Sequence, residues 1–334
     1  MVSSARKQYY TSAGSDRLPE TYCNYVKSLE LRYGDAPDIQ AACYSKIKFE
    51  IIKRGRALSK GNIEDLDTGL TLVYEFKKIL HKELMVALKH TNPCGAVASY
   101  KKVNFEYVKN CDPEAIFGAT VVASHEIDEK NAERMNEIFL DVIAAPDFTE
   151  GALEVLERKK NLRLIKYDID ELQPPKYRFK NLRSVDVLLL QENKIRSKDE
   201  LHNQIKVLKG QLKVDLESII GGWYILSETA SNAAVLYANK GEYEQAIGIG
   251  AGQQKRIDAI ELAVNKAKKY GHDVQNAIML TDGFMPHRDN VECCAQEGIK
   301  IICAPIGSIK DPEIFDLCEQ YGITLVSIPR CFKH

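Results

Sequence analysis

From residue 62 to 82 the apolar positions Leu66, Leu70, Val73, Phe76 and Leu80 recur at the spacing that lays one stripe along a helix. Asn62 stands where a cap belongs and acids follow it, so the pattern predicts a helix over 62–82. Short apolar runs then alternate with helical stretches: strands at 84–88, 120–123, 142–146 and 162–167, with a helix at 127–140. A further run at 185–190 reads as the last strand of a first unit, and a boundary falls near 195. The second half repeats the grammar, with strands at 233–238, 246–249, 277–281, 299–304 and 324–328 and helices at 253–269, 290–297 and 311–320. Such alternation argues for an α/β fold whose sheet is buried on both faces. Residues 1 to about 45 have no sustained period and read as an arm lying on other structure. No repeat of about 20 to 50 residues indicates a solenoid or propeller.

The 334 residues fit two packed units better than one core. Forty-six basic against 47 acidic residues leave a net charge of -1, which provides no field for a polyanion and argues against nucleic acid as a partner. Nine cysteines lack the paired spacings of a zinc knuckle or disulfide framework, which suggests a reducing compartment. The polar start and the absence of a long apolar run point to a cytoplasmic protein with no membrane partner.

The candidate chemistry collects where strands end. Leu88-Lys89-His90-Thr91-Asn92-Pro93-Cys94-Gly95 closes an apolar strand with Lys and His. Adjacent side chains on a straight strand diverge, so both serve one ligand only if the backbone turns, and Pro93 and Gly95 are read as making that turn before a helix. The plain alternative is a charged residue and a histidine that merely finish a strand. A second such end is Thr281-Asp282-Gly283-Phe284-Met285-Pro286-His287-Arg288-Asp289-Asn290, where Phe284 and Pro286 offer an apolar wall and Asp289 and Asn290 a polar edge for a heteroaromatic ligand. Simple capping of the next helix by Asp289 or Asn290 competes with that reading.

Gly248-Ile249-Gly250-Ala251-Gly252-Gln253 approaches a dinucleotide fingerprint, but Gln253 occupies the third glycine position, so the fingerprint fails. A tight strand-to-helix turn carrying Gln253 and Arg256 towards a site competes evenly with turn chemistry alone. His81-Lys82-Glu83 and Pro93-Cys94 look like fragments of a zinc deaminase signature, yet Val97 stands where the second cysteine is needed, so no metal site is expected. Arg32-Tyr33 and Arg330 with His334 complete the set, arginine being suited to phosphate.

Taken in order, these segments resemble the aminoimidazole carboxamide ribonucleotide (AICAR) transformylase domain of the bifunctional purine-biosynthesis enzymes. The resemblance rests on Leu31 to Gly34, Leu58-Ser59, Lys89 to Gly95, Phe117-Gly118, Asp141 with Ala145-Pro146, Arg183 to Asp186, Ser231-Asn232, Gly248 to Arg256, Asp282 to Asn290 and Arg330 to His334. It implies two cytidine-deaminase-like α/β/α subdomains without zinc, here an arm plus first subdomain over 1–195 and a second over 196–334. It implies formyl transfer from 10-formyltetrahydrofolate to AICAR in a homodimer with shared sites, a potassium ion among the family's occasional ligands, and a separate IMP cyclohydrolase for ring closure.

Carried over residue by residue, the resemblance makes His90 the base, Lys89 the charge beside the carbonyl oxygen, and Asn232 their positioned partner. Arg32, Tyr33 and Arg330 would grip the nucleotide phosphate, Asp141 the ribose, and Phe284 the aminoimidazole. His334, Phe117, Gly118, Gln253 and Arg256 would complete the nucleotide side, with Pro286, His287, Asp289 and Asn290 on the folate side. The chain departs from the usual pattern at Asp35 to Gln40, at Lys60-Gly61, and at His287, where Phe is common. A non-catalytic AICAR-binding or regulatory module, or a transferase with an altered folate donor, are the alternatives those departures leave.

Overall fold

A computed structural model describes residues 21–333 except 23–24, 46–49, 54, 183 and 186. His334, Arg183, Asp186 and the first 20 residues of the expected arm lie outside the described residues. Two small sheets accompany one large one. The first joins β1 (Thr21–Tyr22), β2 (Tyr25–Glu30) and β3 (Ala42–Ser45). The large, 12-stranded sheet takes β4 (Glu50–Lys53), β5 (Glu83–Lys89), β6 (Asn92–Ser99), β7 (Thr120–Ala123), β8 (Val142–Ala145) and β9 (Arg163–Lys166) from the first half of the chain. An isolated ribbon of β10 (Tyr177–Asn181) and β11 (Leu188–Glu192) follows. The large sheet then gains β12 (Lys206–Lys209), β13 (Ala234–Asn239), β14 (Glu244–Gly250), β15 (Ala277–Thr281), β16 (Ile301–Ala304) and β17 (Thr324–Ser327).

The order across the large sheet is β12-β17-β16-β15-β13-β14-β6-β5-β7-β8-β9-β4. Each half is therefore a hairpin (β5–β6, β13–β14), an antiparallel neighbour that opens a parallel trio (β7–β9, β15–β17), and an antiparallel edge strand (β4, β12). The halves meet where β14 pairs antiparallel with β6, Glu244 opposite Ala98 and Gln245 opposite Val97.

Side-chain alternation assigns the two faces. Leu84, Val86 and Leu88 join Val235, Tyr237 and Leu280 in one core beneath the helices Lys60–Tyr74 and Leu216–Ser227, and that core runs through both halves. Met85 and Ala87 face a second core belonging to the first half, while Leu236 and Ala238 face a third belonging to the second half. Among the described residues no helix is long and apolar enough to cross a membrane.

Several expectations are corrected. The first long helix begins at Lys60, capped by Ser59, whose side chain accepts the Asn62 amide while Asn62 reaches back to the Ser59 backbone. Asn62 is thus the second member of a capping box rather than the cap, and the acids follow the first turn. The chain beyond Lys89 does not open a helix but returns as β6, with Pro93 beside a register shift in the β5–β6 pairing, where a missing N–H is tolerated. Gly95 lets the Val108 carbonyl approach, since a Cβ there would meet it at 2.7 Å. The apolar run at 185–190 does not join the large sheet: its strand is Leu188–Glu192, in the ribbon, and Leu190 is 63% exposed.

His125 illustrates how burial selects a protonation state. Its Nε2 accepts the Val103 amide at 3.0 Å and its Nδ1 lies 3.0 Å from the Glu126 carbonyl, a pair that only the neutral Nδ1–H tautomer satisfies fully. Burial holds its imidazole below the usual 6.5. Folding therefore disfavours the proton: the His125 contribution is intact above about pH 6.5 and is lost as pH falls below it. Urea unfolding at pH 7.5 and 5.5 should show a larger acid-side loss for the wild type than for His125→Gln, and equal losses would contradict this.

Candidate functional site

The turn after β5 has two residues, His90 at φ 53° and Thr91 at φ 62°, between the paired Lys89 and Asn92. Two successive left-handed residues define a type I′ hairpin, normally built with Asn and Gly. A β-branched Thr there is strained, at a cost of order 1–3 kcal/mol, and such a conformation persists only where its surroundings enforce it. Here they do. Thr91 N–H donates to Asp65 Oδ1 at 2.6 Å and Asn92 Nδ2 donates to the His90 carbonyl at 2.9 Å. The tight turn exposes His90 and sends Lys89 to the Phe117 carbonyl at 2.9 Å. Asp65 is buried, and desolvation pushes its carboxyl up, offset by the Thr91 amide and by the His90 charge. Its closeness to His90 was legible only as a helix residue in sequence, because the contact needs the hairpin to fold back over the helix Lys60–Tyr74.

The second half brings a loop to the same place. Asn92 Oδ1 accepts the Ala230 amide at 2.8 Å, fixing the hairpin to the segment that carries Asn232. Asn232 Nδ2 donates to the Gln253 carbonyl at 3.0 Å, while the two backbones exchange amide bonds at 3.2 and 3.3 Å, so the amide side chain is oriented by the 250s loop. Gln253 itself donates to the Ala251 carbonyl at 2.8 Å. Gly248 and Gly250 serve packing: a Cβ would strike the Ala263 and Ala259 carbonyls at 2.1 and 2.0 Å, so the helix Arg256–Lys269 lies directly on β14.

Arg256 does not reach outwards. It pairs with the fully buried Asp282 and donates to the Ala233 carbonyl at 2.8 Å, while Asp282 Oδ1 also accepts the Ala233 amide at 3.0 Å. Asp282 Oδ2 is buried and has no hydrogen-bond partner. Arg330 lies over the Phe284 ring at 3.9 Å, so the two residues expected to touch different parts of a nucleotide stack on each other. They line a cleft of about 500 Å³ with Gln204, Ile306, Ser327 and Pro329. Pro286 is half-buried and His287 and Asp289 are exposed at the start of the helix Arg288–Gln296. Asn290 is buried and its amide nitrogen donates to the His287 carbonyl and to Asp289, both at 2.9 Å, while its Oδ1 has no partner. His287 precedes the helix without a side-chain cap bond, so neither Asp289 nor Asn290 caps it.

A third group sits at the starts of β8 and β9. Arg163, 1% exposed, donates to the carbonyls of Arg56, Ala57 and Asp141 and pairs with Asp141 Oδ1 at 3.2 Å. Arg32 donates to the Tyr33 hydroxyl at 2.7 Å and lies close enough to Arg163 for the like charges to repel. The Asp141 amide bonds to Ala119 at 3.0 Å, one residue from Gly118, whose φ is 79°. Phe117 is exposed beside Phe139, with ring centroids 5.4 Å apart. Arg163, like Asp65, is a residue that sequence reasoning missed; its only signal was its place at the head of an apolar strand.

All three groups lie along one edge of the large sheet, where β5, β14, β15, β16 and β17 end and β6 to β9 and β13 begin. That edge carries the exposed His90, the cations Lys89, Arg32 and Arg330 and the Phe284 ring, spread over several strands, with only Phe284 and Arg330 of these in the cleft described above. Among the described residues no group of three or more His, Cys, Asp or Glu could hold a metal ion.

A family model described as AICARFT/IMPCHase bienzyme matches residues 3–266. The "Bifunctional purine biosynthesis protein PurH" of Acetivibrio thermocellus is 34% identical over 96% of this chain and 62% of its own length. The proteins of the same name from Oceanobacillus iheyensis and Aquifex aeolicus are 34% and 32% identical, over 98% and 100% of this chain and 63% and 64% of theirs. The chain thus spans less than two thirds of the length of these relatives.

Arg163 is buried but the Asp141 side chain is 28% exposed, so water can take over the carboxylate while the Arg56 and Ala57 carbonyls lose their donor, a loss of about 1–3 kcal/mol. Arg163→Met should therefore lower unfolding stability by that order in urea titrations, whereas an unchanged stability would show that Asp141 and the Arg56–Ala57 carbonyls do not depend on it.

Proposed function

The chain belongs to the AICARFT/IMPCHase bienzyme family, and on that premise we propose that it moves the formyl group of 10-formyltetrahydrofolate onto the 5-amino group of AICAR. The products are formyl-AICAR and tetrahydrofolate, in purine biosynthesis. The observation that carries this reading is the meeting of the Lys89–His90 turn with the Asn232 loop through the 2.8 Å bond from Ala230 to Asn92.

The acceptor amine is conjugated with the neighbouring carboxamide and is a poor nucleophile. As its nitrogen bonds to the formyl carbon, His90 takes the amine proton; as the bond from that carbon to the folate N10 breaks, N10 receives a proton from the Lys89 side. The Lys89 ammonium also stabilises charge on the carbonyl oxygen, and Asn232 orients the group being transferred. Proton transfer of this kind contributes about 10² to 10⁴-fold, so holding both substrates in line supplies much of the rest. Arg32 and Tyr33 grip the phosphate with Asp141 beside them for the ribose hydroxyls, and Phe117 and Gly118 flank Lys89. Arg330 lies several strands away along the sheet and meets the same nucleotide where two copies share a site. The stacking of Arg330 on Phe284 leaves the aminoimidazole the other face of that ring. Pro286, His287 and Asp289 take the folate side. Arg256 and Gln253 shape their loops, since Arg256 is turned inward onto Asp282 and the Ala233 carbonyl and the Gln253 amide donates to the Ala251 carbonyl, whereas the Asn290 Oδ1 is buried without a partner. The partnerless Asp282 oxygen is one ligand of the kind a monovalent cation such as potassium takes, with the charge of the carboxylate already balanced by Arg256.

We read the two halves as deaminase-like subdomains that run without zinc. The Cys94 thiol, which a zinc site would need as thiolate, is pushed up to about 12 by burial. We assign the enzyme to the cytoplasm, since the cysteines described are all free. We assign it a homodimeric state as well. The β10–β11 ribbon is exposed along both strands and carries large apolar residues there, Tyr177, Phe179 and Leu188 to Leu190, and an isolated two-stranded ribbon is marginal in water. Arg178 on that ribbon interacts with Asp67 and Glu228 near the site, so a second copy covering the ribbon would border the site.

Purified protein given AICAR and 10-formyltetrahydrofolate should yield formyl-AICAR. Binding of AICAR in calorimetry without turnover of any reduced-folate donor would instead make it a binding module. His90→Ala should lower kcat by about 10² to 10⁴-fold while AICAR still binds; near-normal turnover would place the base elsewhere. Sedimentation should give a dimer that Leu190→Glu weakens, and a monomer for the wild type at micromolar concentration would contradict the ribbon's role.

A further inference from the structure

Lys333 is engaged twice, by different parts of itself. Its backbone carbonyl accepts the Ser231 amide at 3.1 Å, in a parallel bridge opposite Ala230, so it supports the loop that carries Asn232. Its ammonium reaches the other way and donates to the Thr91 carbonyl at 2.6 Å. The same ammonium donates to Thr68 Oγ1 at 3.0 Å and to the Glu228 carbonyl at 3.1 Å, and pairs with Glu228 Oε2 at 3.1 Å. Both side chains of that pair are largely buried, at 15% and 14% exposed. Thr68 belongs to the helix Lys60–Tyr74 and Glu228 closes the helix Leu216–Ser227, so one cation ties both helices to the strained turn.

The Thr91 residue is thereby gripped at both ends, by Asp65 at its N–H and by Lys333 at its C=O. Neither bond touches the imidazole of His90, but together they fix the left-handed backbone that presents it. A buried ammonium whose donors all meet oxygens also has little freedom to relax.

We propose that Lys333 is a positioning residue for formyl transfer: it holds the His90 turn and the Asn232 loop in register, and so sets the distance between the base and its partner. The inference rests on the reading of His90 and Asn232 given above. Lys333→Ala should lower kcat about 10- to 100-fold with little change in the KM for AICAR, because misplacement of a reacting group by about an ångström has that effect. Lys333→Arg, which keeps the charge and the reach, should restore most of it.

A second readout does not depend on turnover. In protein carrying ring-labelled histidine, with the His90 signal assigned by His90→Gln, Lys333→Ala should shift or broaden His90 while leaving His125, which belongs to the far edge, in place. Unchanged kcat with an unchanged His90 signal would overturn the proposal. So would parallel losses of kcat, AICAR affinity and His125 dispersion, which mark general unfolding. If the wild type forms no formyl-AICAR, the functional reading fails while the histidine signals still decide whether Lys333 positions the turn.

Discussion

The molecule depends on a short seam. Two residue pairs of β6 and β14 join six strands to six, and one buried ion pair, Lys82 with Glu244 at 2.9 Å, pins the seam at the far edge of the sheet. Glu244 is satisfied there by Ser218 at 2.5 Å and Tyr237 at 3.2 Å as well, as a charge at that depth requires. At the near edge the bond from Ala230 to Asn92 and the grip of Lys333 pin it again. With the seam held at both ends, strand ends from distant parts of the chain line one edge. The shared core under the helices Lys60–Tyr74 and Leu216–Ser227 makes that alignment rigid.

Around the doublet the chain retains features that work against stability. His90 and Thr91 sit in left-handed conformations, and Asp65, Glu75 and Glu228 are acids whose carboxyls burial pushes up. Folding favours the protonated form of each, so their contribution weakens as pH rises from the ordinary carboxylate range towards the raised folded values. Glu75 Oε2 has no hydrogen-bond partner. Local rules broken together in one neighbourhood are the mark of a site whose geometry serves something other than stability.

Much of this was legible in the chain. The strands 120–123 and 277–281 and the helix 311–320 appear with the bounds their periodicity predicts, because each is an apolar run closed by turn residues. The alternation of strand and helix gave the α/β class. What failed had a physical reason in each case. Pro93 and Gly95 read as a turn, yet the first occupies an irregular pairing and the second makes room for a carbonyl, circumstances that exist only after the hairpin forms. The run 185–190 read as buried because composition does not say which apolar strand finds a partner within the same chain. For the site, Lys89 and His90 stood out locally, whereas Asp65, Arg163 and Lys333 did not: each earns its place through a neighbour 26, 22 or 242 residues away.

The central claim is that both halves of the chain supply one site along one sheet edge. Hydrogen exchange of the protein with and without saturating AICAR measures it most directly. The account predicts concerted protection of residues 89–92, 230–233 and 282–284 and of the segment around 330, with the far-edge turn at 239–244 unchanged. Protection confined to one half, or centred on the far edge, would contradict it.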